Sequence, residues 1–187
     1  MENLLIYEFQ ILDFIQMNMR NPILDKLMVI FTYLGSSGFI WILIALTLLA
    51  SSKNKKYGIA LALSLLLCLI IGNITLKPIV DRIRPCDVNE AIKLLIKHPT
   101  DASFPSGHTM SSFAAAVSLL YYDKLKGSMA MCLAICISFS RLYLYVHYPT
   151  DILAGIVLGI IIAIISQKLV DIYYKKKNSM IIDRYTK

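Results

Sequence analysis

At 187 residues, 57% of them hydrophobic, and with a mean hydropathy of +0.65, the chain has the length of one domain but is too apolar for an ordinary water-soluble fold. Its formal net charge of +7 would suit nucleic acid. The basic residues, however, are scattered between apolar runs and form no aromatic-interleaved face, so no nucleic-acid partner is expected and the lipid bilayer is the expected solvent.

Leu4 to Met19 interleaves apolar residues with Glu8, Gln10, Asp13 and Gln16, which predicts an amphipathic helix lying against the membrane. Glu2, Glu8 and Asp13 also make this stretch unlike a secretory leader, and no cleavage is expected. Asn21-Pro22 breaks the chain. Ile23 to Leu34 is too short to cross a hydrocarbon core, which takes about 20 helical residues, and predicts a short tucked-in helix. Gly38 to Ala50, with Gly35, Ser36 and Ser37 before it, just suffices to span. Tyr57–Leu76, Ser106–Tyr122, Ser128–Tyr145 and Ile152–Val170 read as spanning helices. Gly155 and Gly159 have the spacing of a close helix-packing motif, as do Ala114 to Ala116 by size; dimerisation to a homodimer is the alternative use of such a face. Cys68, Cys132 and Cys136 lie in apolar stretches and only Cys86 in a polar loop, so neither a disulfide framework nor a zinc site is expected.

Lys53, Lys55 and Lys56, then Lys124 and Lys126, then Lys168 and Lys175 to Lys177 mark three segments as cytoplasmic by the positive-inside rule. The loops Lys77–Pro105 and Val146–Thr150 then share the outer face, where two stretches distant in sequence can build one site. The expected organisation is one domain: amphipathic and short helices over 1–35, a helical core over 36–172, and a cytoplasmic tail over 173–187.

Ionisable residues near membrane depth are costly unless they have a task, and here they form three clusters. In the first, Lys77 and Arg84 flank Arg82 and precede Pro85. If Pro78 starts a helical turn, the two cations stand about two turns apart, roughly 10 Å, and can bracket a phosphate. Ordinary positive flanks of a membrane helix would look the same. The second is Pro105, Ser106, Gly107 and His108 at the start of a span, preceded by Asp101, Ala102, Ser103 and Phe104. Free N–H groups and the helix dipole make such an end an anion site, although Ser106 could be a plain N-cap and His108 an interfacial residue. The third is Ser140 and Arg141, then His147, then Asp151. Pro149 as a first helical residue puts Asp151 in the first turn, where its carboxylate can receive Nδ1–H of His147 and leave Nε2 unprotonated, as a nucleophile or general base requires. A purely structural pair is the alternative. Asp81, Asp87, Glu90 and Asp101 are dispersed and lack a coordination spacing, so neither a catalytic metal nor a cofactor is expected.

Together the three clusters resemble the signature of the type 2 phosphatidic acid phosphatase family, matched by Lys77 to Pro85, Pro105 to His108 and Ser140 to Asp151, with every signature position present. The resemblance covers about Tyr57 to Val170 and implies an all-α, polytopic six-helix core with the site at the outer surface of the cell (inner) membrane. It implies further that His147 attacks phosphorus to give a phosphohistidine, that Asp151 orients it, and that His108 protonates the leaving oxygen. Lys77, Arg84, Arg141, Ser106 and the Gly107 backbone would hold the phosphoryl oxygens. Vanadium haloperoxidases share the signature but are soluble. Within the phosphatases, the chain looks similar to bacterial undecaprenyl diphosphate phosphatases. Phosphatidylglycerol phosphate and phosphatidic acid are the alternative substrates, and a non-catalytic lipid-phosphate carrier is the alternative of another class.

Overall fold

A computed structural model describes residues 2–185; Met1 and the last two residues of the expected tail lie outside the described residues. The helices are α1 (Glu2–Asn18), α2 (Pro22–Gly35), α3 (Phe39–Ala50), α4 (Lys55–Cys68), α5 (Lys77–Val80), α6 (Pro85–Val88), α7 (Gly107–Tyr122), α8 (Lys124–Tyr143) and α9 (Pro149–Tyr185). A π-helical stretch, Leu69–Leu76, joins α4 to α5 without a break. The chain is all-α as expected, and among the described residues α1, α2 with α3, α4 with its extension, α7, α8 and α9 are six helical units.

Local chemistry sets the boundaries. Asn21 accepts from the N–H groups of Ile23 and Leu24 at 3.1 and 3.0 Å, and Pro22 takes the first helical position, where its missing N–H costs nothing. Asp123 caps α8 in the same way through Lys126 N–H at 3.0 Å. Between α2 and α3, Ser37 and Gly38 adopt left-handed backbone angles with φ of 52° and 66°; glycine takes that conformation freely and serine does not.

Among the described residues, four stretches are long and apolar enough to cross a bilayer: Pro22–Ala50, Lys55–Val88, Lys124–Tyr143 and Pro149–Ser179. One expectation changes. The short helix over 23–34 and the span over 38–50 are two halves of one kinked 29-residue element, because the Ser36–Gly38 turn bends the helix without reversing it. Helix α7, expected to span, has 16 residues, about 24 Å at 1.5 Å per residue, and forms the enclosed centre of the bundle. Ala114, Ala115 and Ala116 have no exposed surface, and Trp41 of α3 donates to Ser112 at 3.0 Å. The polar end beyond Tyr173 continues α9 as helix.

Gly155 and Gly159 bring the backbones of α9 and α7 together. A Cβ on Gly155 would lie 2.9 Å from the Ser106 carbonyl oxygen, and one on Gly159 2.5 Å from that of Met110. The pair therefore serves packing within the chain, and it fixes the start of α7 against the start of α9, where Ser106 N–H donates to the Asp151 carbonyl at 3.2 Å.

Candidate active site

The expected residues converge where these two helix starts meet the turn after α5. His147 stands in the loop between α8 and α9, 1% exposed, with Nδ1 3.3 Å from Oδ2 of Asp151. Its Nε2 lies 3.3 Å from NH1 of Arg84. A guanidinium carries only N–H donors, so the lone pair faces Arg84 and the ring proton sits on Nδ1, toward Asp151. Burial first, then the charges of Arg84, Arg141 and Lys77, hold the imidazole well below its ordinary range, with Asp101 opposing. The ring is neutral at physiological pH.

Asp151 is fully buried and saturated. Its Oδ2 accepts from the Ser103 hydroxyl and, at 2.9 Å, from Tyr148 N–H, while Oδ1 accepts from Arg82 at 2.6 Å. Arg84 ties three segments together by donating to the Val146 carbonyl at 2.7 Å, the Asp101 carbonyl at 2.8 Å and the Asp101 carboxylate at 2.7 Å.

Lys77 and Arg84 do not stand two helical turns apart. Asp81 takes a left-handed conformation (φ 41°) that ends α5 after one turn and redirects the chain, so that Lys77 and Arg84 reach the two oxygens of one carboxylate, that of Asp101. Burial alone would raise the Asp101 acid, but the Lys77 ammonium and the Arg84 guanidinium hold it down at about 2. This anion between two cations sits on a side chain that is 56% exposed and so can be displaced.

Arg141, 4% exposed, donates to Thr32, and its Nε–H is buried with no partner, an arrangement that suits an arriving anion. Ser106 is buried and accepts from Thr109 at 3.1 Å; it makes no side-chain cap on α7, so the plain N-cap alternative falls away. Gly107 packs against Asn73, whose Oδ1 would be 2.8 Å from an added Cβ. His108 is half-buried, with Nε2 3.4 Å from the Ser36 hydroxyl.

A cavity of about 670 Å³ opens from Lys77, Asp101, Gly107 and His108 and runs between α3 and α4, past Ile42, Leu46, Leu65 and Leu66, toward Leu49 and Ala62. One end is polar and the rest apolar, the shape of a site for a charged head on a hydrocarbon tail.

Among the described residues, one group of metal-ligating type gathers: the donor atoms of Cys86, Asp87 and His98 lie within 4.8 Å of one another. Asp87 and His98 already satisfy each other at 2.8 Å. The group is not among the residues around His147.

Residues 56–174 match the PAP2 superfamily. The chain belongs to this family. It is 33% identical to the undecaprenyl-diphosphatase of Sulfolobus acidocaldarius over 147 residues, covering 78% of this chain and 70% of that one. It is 29% identical to the undecaprenyl-diphosphatase BcrC of Bacillus subtilis over 157 residues, covering 82% and 78%. Among solved structures, LpxE of Aquifex aeolicus superposes with a TM-score of 0.75 at 32% identity, over 87% of this chain and 95% of that one. The PAP2-type phosphatidylglycerolphosphate phosphatase of Bacillus subtilis gives 0.65 at 25% identity, over 93% and 95%. This PAP2 chain is a multi-pass membrane protein and a lipid phosphatase, a hydrolase of lipid phosphate esters and diphosphates.

Sequence reasoning missed Glu8, Thr32, Ser103 and Thr150 and left Arg82 without a task. Each contacts a predicted residue or supports one that does. Glu8 carries no sequence signal of its own, because Gln10, Asp13 and Gln16 share its helix.

Proposed function

We propose that this phosphatase works through a phosphohistidine at His147, on the outer face of the cell membrane, and that its substrate is undecaprenyl diphosphate, converted to undecaprenyl phosphate. The single observation that carries the mechanism is the setting of His147, with Nδ1 3.3 Å from the Asp151 carboxylate and Nε2 3.3 Å from the Arg84 guanidinium, which favours the proton on Nδ1 and the lone pair on Nε2. A phosphoryl group bound by Lys77, Arg84, Arg141, Ser106 and the Gly107 N–H displaces the Asp101 carboxylate and presents phosphorus to Nε2. The N–P bond forms as the bond to the leaving oxygen breaks, and His108 gives that oxygen a proton. Water then attacks phosphorus, the N–P bond breaks, His108 takes the proton, and phosphate leaves. Asp151 stabilises the imidazolium character that His147 gains in both steps.

The apolar cavity between α3 and α4 supports a long-tailed lipid. Lysine-rich connections after α3 and α7 and at the end of α9 support cytoplasmic placement of those ends, with the site and its loops outside. No second copy of the chain is required, because the eight residues come from one chain and the Gly155–Gly159 face is used on α7. The name of the Bacillus subtilis structural relative supports a second reading, phosphatidylglycerol phosphate, with phosphatidic acid as a further phosphomonoester.

The test is phosphate release by purified protein in detergent with excess chelator, from each of the three lipids, for wild type and His147→Ala. The reading expects fastest release from undecaprenyl diphosphate and none from His147→Ala. Faster release from phosphatidylglycerol phosphate would transfer the substrate assignment, and release by His147→Ala would overturn the mechanism.

A further inference from the structure

The polar face of α1 is turned onto the loop that carries His147. Glu8 is 2% exposed while its neighbours Leu4, Leu5, Ile6, Tyr7 and Ile11 are all exposed. From the same face Gln16 donates to the Tyr143 carbonyl at 2.6 Å, and Asp13 accepts from the Tyr145 hydroxyl at 2.6 Å. Glu8 itself accepts from Thr150 N–H at 3.2 Å and from its hydroxyl at 2.5 Å, so three residues of one helix brace residues 143–150.

The strongest of these ties continues inward. Arg82 gives NH2 to Glu8 at 2.5 Å and NH1 to Asp151 at 2.6 Å and to Thr150 at 2.7 Å, with its guanidinium 3.9 Å above the Tyr148 ring. Phe9 of α1 meets the same ring in a T-shaped contact at 5.6 Å. The result is an alternating chain of charges, Glu8, Arg82, Asp151, ending on Nδ1 of His147. A buried carboxylate is retained only where it is paired and hydrogen-bonded, and this one is paired with the cation that grips Asp151.

We propose that α1, which lies outside the residues matched to the family, is a working part of the active site, with Glu8 and Arg82 as positioning residues that set how Asp151 holds His147. Glu8 shares the Arg82 guanidinium with Oδ1 of Asp151, leaving Oδ2 to accept from Nδ1–H of His147. Without the Glu8 charge, Arg82 bears on Asp151 alone, and the imidazolium character required at His147 in the transition state loses support. The inference rests on the proposed roles of His147 and Asp151.

The experiment measures kcat, KM and Tm for Glu8→Gln, Arg82→Gln and the double variant in detergent, with undecaprenyl diphosphate and phosphatidylglycerol phosphate as substrates. His147→Ala and Leu12→Ala are the references. Leu12→Ala loosens α1 without removing a polar group of the network and lowers Tm while sparing kcat. Glu8→Gln lowers kcat on the order of tenfold to a hundredfold with KM little changed. The double variant is no worse than the poorer single, as expected for residues acting through one contact. If Glu8→Gln does not fold, Thr150→Val removes one strut without stranding a charge and lowers kcat severalfold. Retention of kcat within about twofold in the network variants, or a loss no larger than that of Leu12→Ala at equal Tm, overturns the inference while His147→Ala stays inactive. Activity in His147→Ala overturns it together with the reading of the site.

Discussion

Arg84 holds NH1 3.3 Å from Nε2 of His147 while cross-linking Val146 and Asp101. One side chain therefore fixes both the ring that would attack and the loop from which the anion site is built. Arg84→Lys keeps the charge but loses the fork, and the account expects kcat/KM to fall about a hundredfold, read by steady-state phosphate release. Asp151→Asn is expected to lower kcat by on the order of 10³ to 10⁴, as when the orienting acid of a catalytic histidine is lost. A loss below about tenfold for Asp151→Asn would make the pair structural.

The neutral state of His147 gives a pH dependence with a defined sign. An unfolded histidine takes up a proton near 6.5, whereas burial and the charges of Arg84, Arg141 and Lys77 keep the folded ring unprotonated well below that. The unfolded chain therefore binds more protons in this window. The His147 contribution to stability is complete above about pH 6.5 and is lost as pH falls below it. Unfolding midpoints at pH 5 and 7.5 are expected to differ more for wild type than for His147→Gln. For the same reason any acid limb of kcat/KM that His147 contributes lies below about pH 6.5.

Asp101 occupies Lys77 and Arg84 as a phosphate would. Asp101→Asn is expected to bind inorganic phosphate severalfold more tightly, seen as stronger product inhibition. Without phosphate the variant should melt lower, because two buried cations lose their counterion. Unchanged inhibition would mean that phosphate does not use these two cations.

Filling the apolar cavity separates tail from head. Leu46→Trp, at the wall between α3 and α4, is expected to raise KM for long-tailed lipid phosphates several times while sparing a short-chain, water-soluble phosphate ester. Equal effects on both substrates would show that the tail lies elsewhere.

At Gly159 an added Cβ would sit 2.5 Å from the Met110 carbonyl, so Gly159→Ala must push α9 off α7. A loss of about 1–3 kcal/mol is expected, measured as a lower unfolding midpoint in detergent.

The helices and the grouping of Lys77, Arg84, His147 and Asp151 were legible in the sequence because apolar runs report burial in lipid and scarce charges report tasks. The pairing of His147 with Asp151 followed from spacing within one turn. What spacing could not reveal was any relation set by tertiary contact. Asp81 breaks α5 and folds Arg84 back onto Asp101, where a continuous helix would have kept the cations apart. Nor does spacing reveal that α7 lies at the centre, with α4, α8 and α9 packed around it. The pattern of α1 predicts an amphipathic helix against the membrane, yet Glu8, Asp13 and Gln16 reach the loop 143–150, Leu12 and Ile15 are buried beside them, and Leu4, Leu5, Ile6, Tyr7 and Ile11 are exposed. Amphipathicity gives two faces without saying which one meets the protein.

The central claim is a covalent phosphate on His147. The direct measurement is to mix purified protein with undecaprenyl diphosphate, quench in base, where phosphohistidine survives, and locate phosphate on the peptides by mass spectrometry. The account predicts phosphate on His147, more of it when hydrolysis is slowed by His108→Ala with a substrate whose leaving group needs no proton, and none in His147→Ala. Wild-type turnover with no phosphate at His147 in any variant, or turnover by His147→Ala, would contradict it.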